Sequence, residues 1–188
     1  MMRVGVFIEQ MSSGKKANTW HFGMKVHIAV CTKSGIVYSA KGGPANEHDI
    51  TRLHDVLADD ELKVFLDSGN TGCEKRPEIL DMNLKQVEWY VAAKPNKWKK
   101  LASPGELETG AIKESITQYL ESARTFERAK AAVRCKVEWA FLWLKRIYGY
   151  AKTRCRGIDK NLTRVLTLFS LYNWYRIWRW RQMQEASS

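Results

Sequence analysis

Arg134, Glu138 and Lys145 are spaced so that, at about 100° per residue of an α-helix, all three project from one ridge. A carboxylate between two cations has two readings. Arg134 and Glu138 are i,i+4 partners, and such a surface pair contributes a few tenths of a kcal/mol to a helix. Alternatively, Glu138 offers oxygen to a hard cation while the flanking charges face phosphates. Asp67 is equally two-sided, because Asp before Ser68-Gly69 is ordinary turn chemistry. The short apolar run Val64-Phe65-Leu66 ahead of it, however, reads as a buried strand, and ligands collect at the carboxyl ends of strands in open α/β sheets. Two carboxylates brought together from distant points of a chain suit Mg²⁺ (or Mn²⁺), since hard divalent cations take oxygen ligands. Paired metals about 4 Å apart activate an attacking oxygen and stabilise a leaving one during phosphodiester displacement.

The charge distribution supports a phosphate-bearing partner. The formal net charge is +11, and residues 124–181 hold fifteen Lys/Arg against three Asp/Glu. A cationic stretch of this kind gains affinity for a polyanion by releasing counterions, with no need of sequence recognition. Nucleic acid is the first candidate and anionic lipid the second. Lys152, Arg154 and Arg156 alternate in a segment between two helices, as a phosphate-contacting stripe would.

The elements that must position these groups follow from periodicity. From Trp20 to Ile28 apolar and polar residues alternate, which predicts a half-buried strand. A turn at Lys33-Ser34-Gly35 leads into a second strand, Ile36 to Ser39. Ile50 to Leu57 carries a helical stripe, with Asn46 or Asp49 as its cap. Lys63 to Leu66 is a strand, Glu74 to Leu80 a helix and Val87 to Ala93 another strand. Residues 96–110 form a loop or small insertion. Long helices are expected over Ile112 to Tyr150 and over residues 160–184. The order points to an α/β fold, one mixed sheet flanked by helices, with a helical C-terminus. At 188 residues with 45% hydrophobic content, a single domain over 1–188 is the expectation.

Several classes are excluded. Cys31, Cys73, Cys135 and Cys155 are widely spaced with no C-x-x-C pair, so neither a disulfide framework nor a zinc ribbon is expected. His48 and His54 point apart on a helix and do not make a zinc site. The longest apolar stretch, Leu162 to Trp178, contains Arg164, Asn173 and Arg176, which argues against a membrane span. The start of the chain lacks the apolar core of a signal peptide and has the abruptness of a truncated reading frame. Reduced thiols in a bacterial cytoplasmic protein, associated with the nucleoid when bound to DNA, are the expectation. Trp174, Tyr175, Trp178 and Trp180 are interleaved with Arg176, Arg179 and Arg181. Docking of these rings on the sheet, with the arginines outward, is expected over base stacking or attachment to a membrane surface. His21 and His27 share a strand face with Lys25, for DNA contact or simple solvation.

Taken together, ordered blocks resemble the DDE transposases of bacterial insertion sequences, particularly the family named for insertion sequence five. They are Trp20-His21-Phe22-Gly23-Met24-Lys25-Val26-His27, Ala45-Asn46-Glu47-His48-Asp49, Val64-Phe65-Leu66-Asp67-Ser68-Gly69, Arg134-Cys135-Lys136-Val137-Glu138 with Lys145, and Tyr148 to Gly157. The likeness covers roughly Ala17 to Tyr175. It implies an RNase H-like fold in which Asp67 and Glu138 are the second and third catalytic and metal-binding carboxylates. It also implies Mg²⁺ or Mn²⁺ as cofactor. The partner implied is double-stranded DNA, at terminal inverted repeats and at target sites, with a homodimer as one form of the transposition complex. Arg134, Lys145 with its neighbour Arg146, and Lys152, Arg154 and Arg156 become DNA-binding candidates.

Departures from the family pattern are specific. Ala131 stands where the wider superfamily has Tyr, Trp139 where relatives often have His, and Asn70 where Tyr usually follows the Asp-x-Gly turn. These bear on fine positioning. Upstream, Val4-Gly5-Val6-Phe7-Ile8-Glu9 is the nearest match to the opening strand, and Gly5 occupies the position of the first Asp. Glu9 lies on the wrong side of that strand to replace it. The first strand is therefore expected to be shortened or degenerate over 1–16, and a catalytically inactive, truncated transposase that only binds DNA is the alternative to an active enzyme.

Overall fold

The computed structural model describes residues 11–94 and 111–186, apart from 17, 83, 85 and 86. The expected opening strand with Gly5, and the 96–110 loop, lie outside the described residues. The chain divides into two compact units, one made of Met1–Ala58 with Lys136–Ser188, the other of Asp59–Cys135.

The first unit is built on an antiparallel sheet ordered β1-β2-β3, with β1 Ser12–Lys16, β2 Thr19–Val30 and β3 Val37–Pro44. β2 is the strand that alternation predicted, one to two residues longer at each end. β1 was not anticipated. Its sequence Ser-Ser-Gly-Lys-Lys has no apolar alternation, and it is a strand because the exposed start of β2 pairs with it, Lys15 opposite Trp20 and Ser13 opposite Phe22. The β2–β3 hairpin turns at Gly35, whose φ of 73° favours glycine. Two residues of the last helix hold this turn: the Tyr172 hydroxyl donates to the Gly35 carbonyl at 3.0 Å, and Arg176 Nη2 donates to the Ser34 carbonyl at 2.6 Å.

After β3 comes a 3₁₀ turn, Asp49–Arg52, and one helical turn, α1, Leu53–Val56. The expected helix over 50–57 is thus split. Asp49 does not cap it: its carboxylate pairs with Lys25 Nζ at 3.2 Å. The last helix, α4, Ile158–Glu185, lays Val165, Phe169 and Tyr172 on the sheet. They join Val37, Ala140, Leu144 and Tyr150 in one core, against which Met24, Val26, Ile28 and Val30 of β2 pack. Asn173 fixes the register: its Oδ1 accepts from Val37 N–H at 2.9 Å and its Nδ2 donates to Val37 O at 2.7 Å.

In the second unit β4, Lys63–Leu66, pairs in parallel with β5, Glu88–Val91. Between them lie two 3₁₀ turns, Ser68–Asn70 and Cys73–Lys75, and α2, Pro77–Leu80, started by a proline at its first turn. The helix expected over 74–80 is broken where Pro77 cannot continue the preceding hydrogen-bond ladder. Phe65 and Tyr90 stack at 4.7 Å across the strand pair. Lys130 is buried, donates to the Val91 carbonyl at 2.9 Å and is ion-paired with Glu127. The α/β class holds. Parallel and antiparallel pairing both occur, but they are divided between two sheets instead of mixed in one.

The long helix α3, Ala111–Leu142, passes through the boundary between the units and continues as a π-helical turn, Trp143–Ile147. Among the described residues, no helix is long and apolar enough to cross a membrane.

Candidate functional site

Asp67 follows the last residue of β4, at the carboxyl end where the sequence placed it. Its backbone is extended and its side chain caps the following turn: Oδ1 accepts from Gly69 N–H at 2.9 Å and from Asn70 Nδ2 at 3.0 Å. Asn70, the departure from the family's tyrosine, is buried and holds the carboxylate. Two donors on one oxygen fix the direction of the group, and no donor from the described residues occupies Oδ2. Turn capping and ligand presentation are therefore compatible here, because each uses a different oxygen.

Glu138 is exposed on α3. Among the described residues, Arg134, Glu138 and Lys145 have no side-chain hydrogen bond or ion pair, so a purely structural ridge lacks support. The π-helical turn changes the ridge itself. Tyr148 N–H donates to the Trp143 carbonyl, a five-residue step, at 3.1 Å. Such a turn holds more residues than an α-turn, so Lys145 and Arg146 leave the azimuth that a regular helix would give them. Both remain exposed.

Lys152, Arg154 and Arg156 are exposed in the connection between Ile147 and α4. What shapes this connection is Asn161, fully buried on the first turn of α4. Its Oδ1 accepts from the Tyr150 hydroxyl and from the backbone N–H of Arg154 and Cys155, at 3.1, 3.1 and 3.2 Å. Its Nδ2 donates to the carbonyls of Cys155 and Gly157, at 2.6 and 2.7 Å. One amide thereby satisfies five groups of an irregular segment that would otherwise lack partners. Sequence reasoning missed Asn161. The available signal was a small amide four residues after Gly157 at a helix start.

Beside β2, Arg52 forms a forked pair with Glu47, Nε to Oε2 at 2.5 Å and Nη2 to Oε1 at 3.0 Å, and its Nη1 reaches Asp55 Oδ2 at 3.2 Å. Bonding from Arg52 holds the Glu47 carboxyl below its ordinary range. His27 lies in the same surroundings with Nε2 buried and, among the described residues, without a hydrogen-bond partner. Burial lowers its pKa, opposed by the nearby Asp49. His27 is thus half-buried, with its Nε2 shielded from solvent.

The aromatic tail departs in part from the expected arrangement: Arg179 and Arg181 are outward, as expected, but three of the rings are too. Trp174 is 73% exposed, and Trp178 and Trp180 are more than half exposed, whereas Arg176 is turned inward onto Ser34. Tyr175 alone of the four rings packs closely, 4.3 Å from Trp143. The reason is register: Phe169, Tyr172 and Asn173 fill the helix face toward the sheet, Trp174 and Trp178 fall on other azimuths, and Trp180, which returns to that face, lies about one turn past Arg176 and its bond to the Ser34 carbonyl.

Among the described residues no three His, Cys, Asp or Glu side chains are grouped as a metal site would need. All four cysteines are free. Asp67 and Arg134 belong to the second unit; Glu138, Lys145, Arg146, Lys152, Arg154 and Arg156 belong to the first. Asp67 and Glu138 each keep at least one carboxylate oxygen unengaged by the described residues, and oxygen is the donor that a hard divalent cation takes. No solved structure matches the chain. A family model described as the transposase DDE domain matches residues 2–174. The chain accordingly belongs to the transposase DDE domain family, and its function is that of a transposase catalytic domain.

Proposed function

We propose that Asp67 and Glu138 are the second and third carboxylates of an RNase H-like active site that cuts and joins DNA strands at the ends of an insertion sequence. The observation that carries this is Asp67 itself, a carboxylate at a strand's carboxyl end with Oδ1 anchored by Gly69 and Asn70 and Oδ2 left open. Asp67 and Glu138 would hold Mg²⁺ or Mn²⁺, which when bound would supply Lewis-acid chemistry for phosphodiester displacement. Asn70 and the Gly69 N–H keep the Asp67 carboxylate in one orientation, which a metal ligand needs. Arg134, Lys145, Arg146 and the Lys152, Arg154 and Arg156 stripe bind phosphates of double-stranded DNA, at terminal inverted repeats and target sites. A homodimer acting in the bacterial cytoplasm fits this chemistry, because two element ends must be handled together.

A nicking assay on inverted-repeat DNA with Mg²⁺ tests the reading. Asp67→Asn and Glu138→Gln are each expected to lower cleavage by about a hundredfold or more while leaving duplex binding intact. Cleavage that survives either change removes that residue from the site. Gly5 stands where the family's first acid is expected, so the same assay is run on a Gly5→Asp variant. If neither chain cleaves, the DNA-binding remnant is the surviving reading.

A further inference from the structure

The β1–β2 ribbon has two unlike faces. On one, a Cβ added to Gly14 would come within 2.5 Å of the Ala45 carbonyl oxygen, so only glycine allows this approach. On the same face Ser12 Oγ donates to Asn46 Oδ1 at 2.8 Å and accepts from Asn46 N–H at 3.0 Å. The ribbon is thus pinned to the chain that follows β3. On the other face are the cross-strand pairs Lys15–Trp20 and Ser13–Phe22. Trp20 is 67% exposed and Phe22 72% exposed. Two large rings held in water on a fixed ribbon contribute nothing to the core.

We propose that this face binds unpaired, extended DNA, with Trp20 and Phe22 stacking on bases and cations at the ribbon holding the backbone. Charge selects the polyanion. No Asp or Glu occurs from residue 10 to residue 46, a stretch with five lysines. Lys15 stands directly opposite Trp20 on this face, while Thr153 Oγ1, 4.0 Å from where a Gly23 side chain would begin, brings the loop bearing Lys152 and Arg154 to the pinned face at the base of the ribbon. A second copy of this chain would oppose like charge with like charge. Stacking selects the unpaired strand. In a duplex both faces of an interior base are covered by neighbours about 3.4 Å away. Trp20 and Phe22 can therefore stack only on bases freed from that helix, as in an extended single strand.

The proposed site uses neither Asp67 nor Glu138 and needs no metal, so binding is measured on the full chain in EDTA, where failure of the catalytic reading does not affect it. The probes are fluorescently labelled oligothymidylate, a duplex of equal length, and vesicles containing anionic phospholipid. A Trp20→Ala/Phe22→Ala variant is expected to weaken oligothymidylate binding by about tenfold or more and duplex binding by less than about twofold. Trp20→Phe with Phe22→Tyr is expected to restore most of the loss, which a merely structural role would not require. Unchanged oligothymidylate affinity in the alanine variant overturns the proposal, as does an equal loss for both DNAs. Loss of vesicle binding with oligothymidylate binding retained overturns it in favour of a membrane surface.

Discussion

The Asn161 side-chain carbonyl accepts the Tyr150 hydroxyl at 3.1 Å, tying the first turn of α4 to the residue that leaves the core after α3. Around this bond the segment carrying Lys152, Arg154 and Arg156 is held by the same amide. Asn161→Ala leaves several buried donors and acceptors unpaired, each costing about 1–3 kcal/mol. We expect a loss of at least about 3 kcal/mol in denaturant unfolding. At temperatures where the variant is still folded, duplex affinity should become weaker and its salt dependence shallower. Asn161→Asp retains the acceptor but sets an anion against two carbonyls, so it should not rescue. A melt unchanged in either variant would remove Asn161 from this role.

Gly5→Asp is the direct test of the missing first acid. A third carboxylate raises the number of anionic oxygen ligands available to a hard divalent cation. We expect Mg²⁺-dependent nicking to rise at least tenfold over the natural chain, and the gain to vanish when Glu138→Gln is added. A gain that persists without Glu138 would mean that the two positions do not serve one site.

His27 sets a pH dependence. Burial lowers its folded-state pKa, so below about pH 6.5, the ordinary imidazole value, the unfolded chain binds the proton more readily than the folded one. Stability is then fully present above that pH and is lost as pH falls toward the depressed folded value. Glu47, also depressed, acts in the same direction in the carboxylate range. His27→Leu removes the unpaired buried nitrogen, so it should be within about 1 kcal/mol of the natural chain, or above it, at pH 7.5. Its stability should also vary less between pH 7.5 and pH 5.5. An undiminished slope in urea titrations across that range would exclude His27 as its source.

Thiol chemistry reports on the second unit. Cys73 is fully buried, and desolvation pushes its pKa up to about 11. Cys135 is exposed. Alkylation at pH 8 followed by peptide mapping should modify the exposed Cys135 well before Cys73, which should stay unlabelled until the unit around it opens. The labelling rate of Cys73 in rising urea should follow unfolding. Rapid labelling of Cys73 in the folded chain would contradict its burial.

Much of this was legible in the residues, and what was not has identifiable causes. The alternation from Trp20 to Ile28 and the apolar run ending at Asp67 are local signals, and both strands formed where expected. β1 carries no such signal, because its pairing partner is supplied by β2. The tail was misread for a related reason. Aromatic character says that a residue gains by burial, but which of Tyr172, Trp174 and Trp178 reaches the sheet depends on the azimuth set by Asn173 and Val37. Asp67 could be located but not its anchoring, which needed Asn70 to lie three residues on in a tight turn. Asn161 acts through five partners that are distinct only in three dimensions.

The turn from Trp143 to Ile147 closes the long helix with a wider ring than the α-helix uses, and Gly149, at a φ of 64°, turns the chain out of it at once. Glu138 takes its direction from that helix, whereas Lys152, Arg154 and Arg156 take theirs from the Asn161 amide of α4. The acid and the cations of this chain are thus steered from two different helices, and a change in the aim of one set need not carry over to the other.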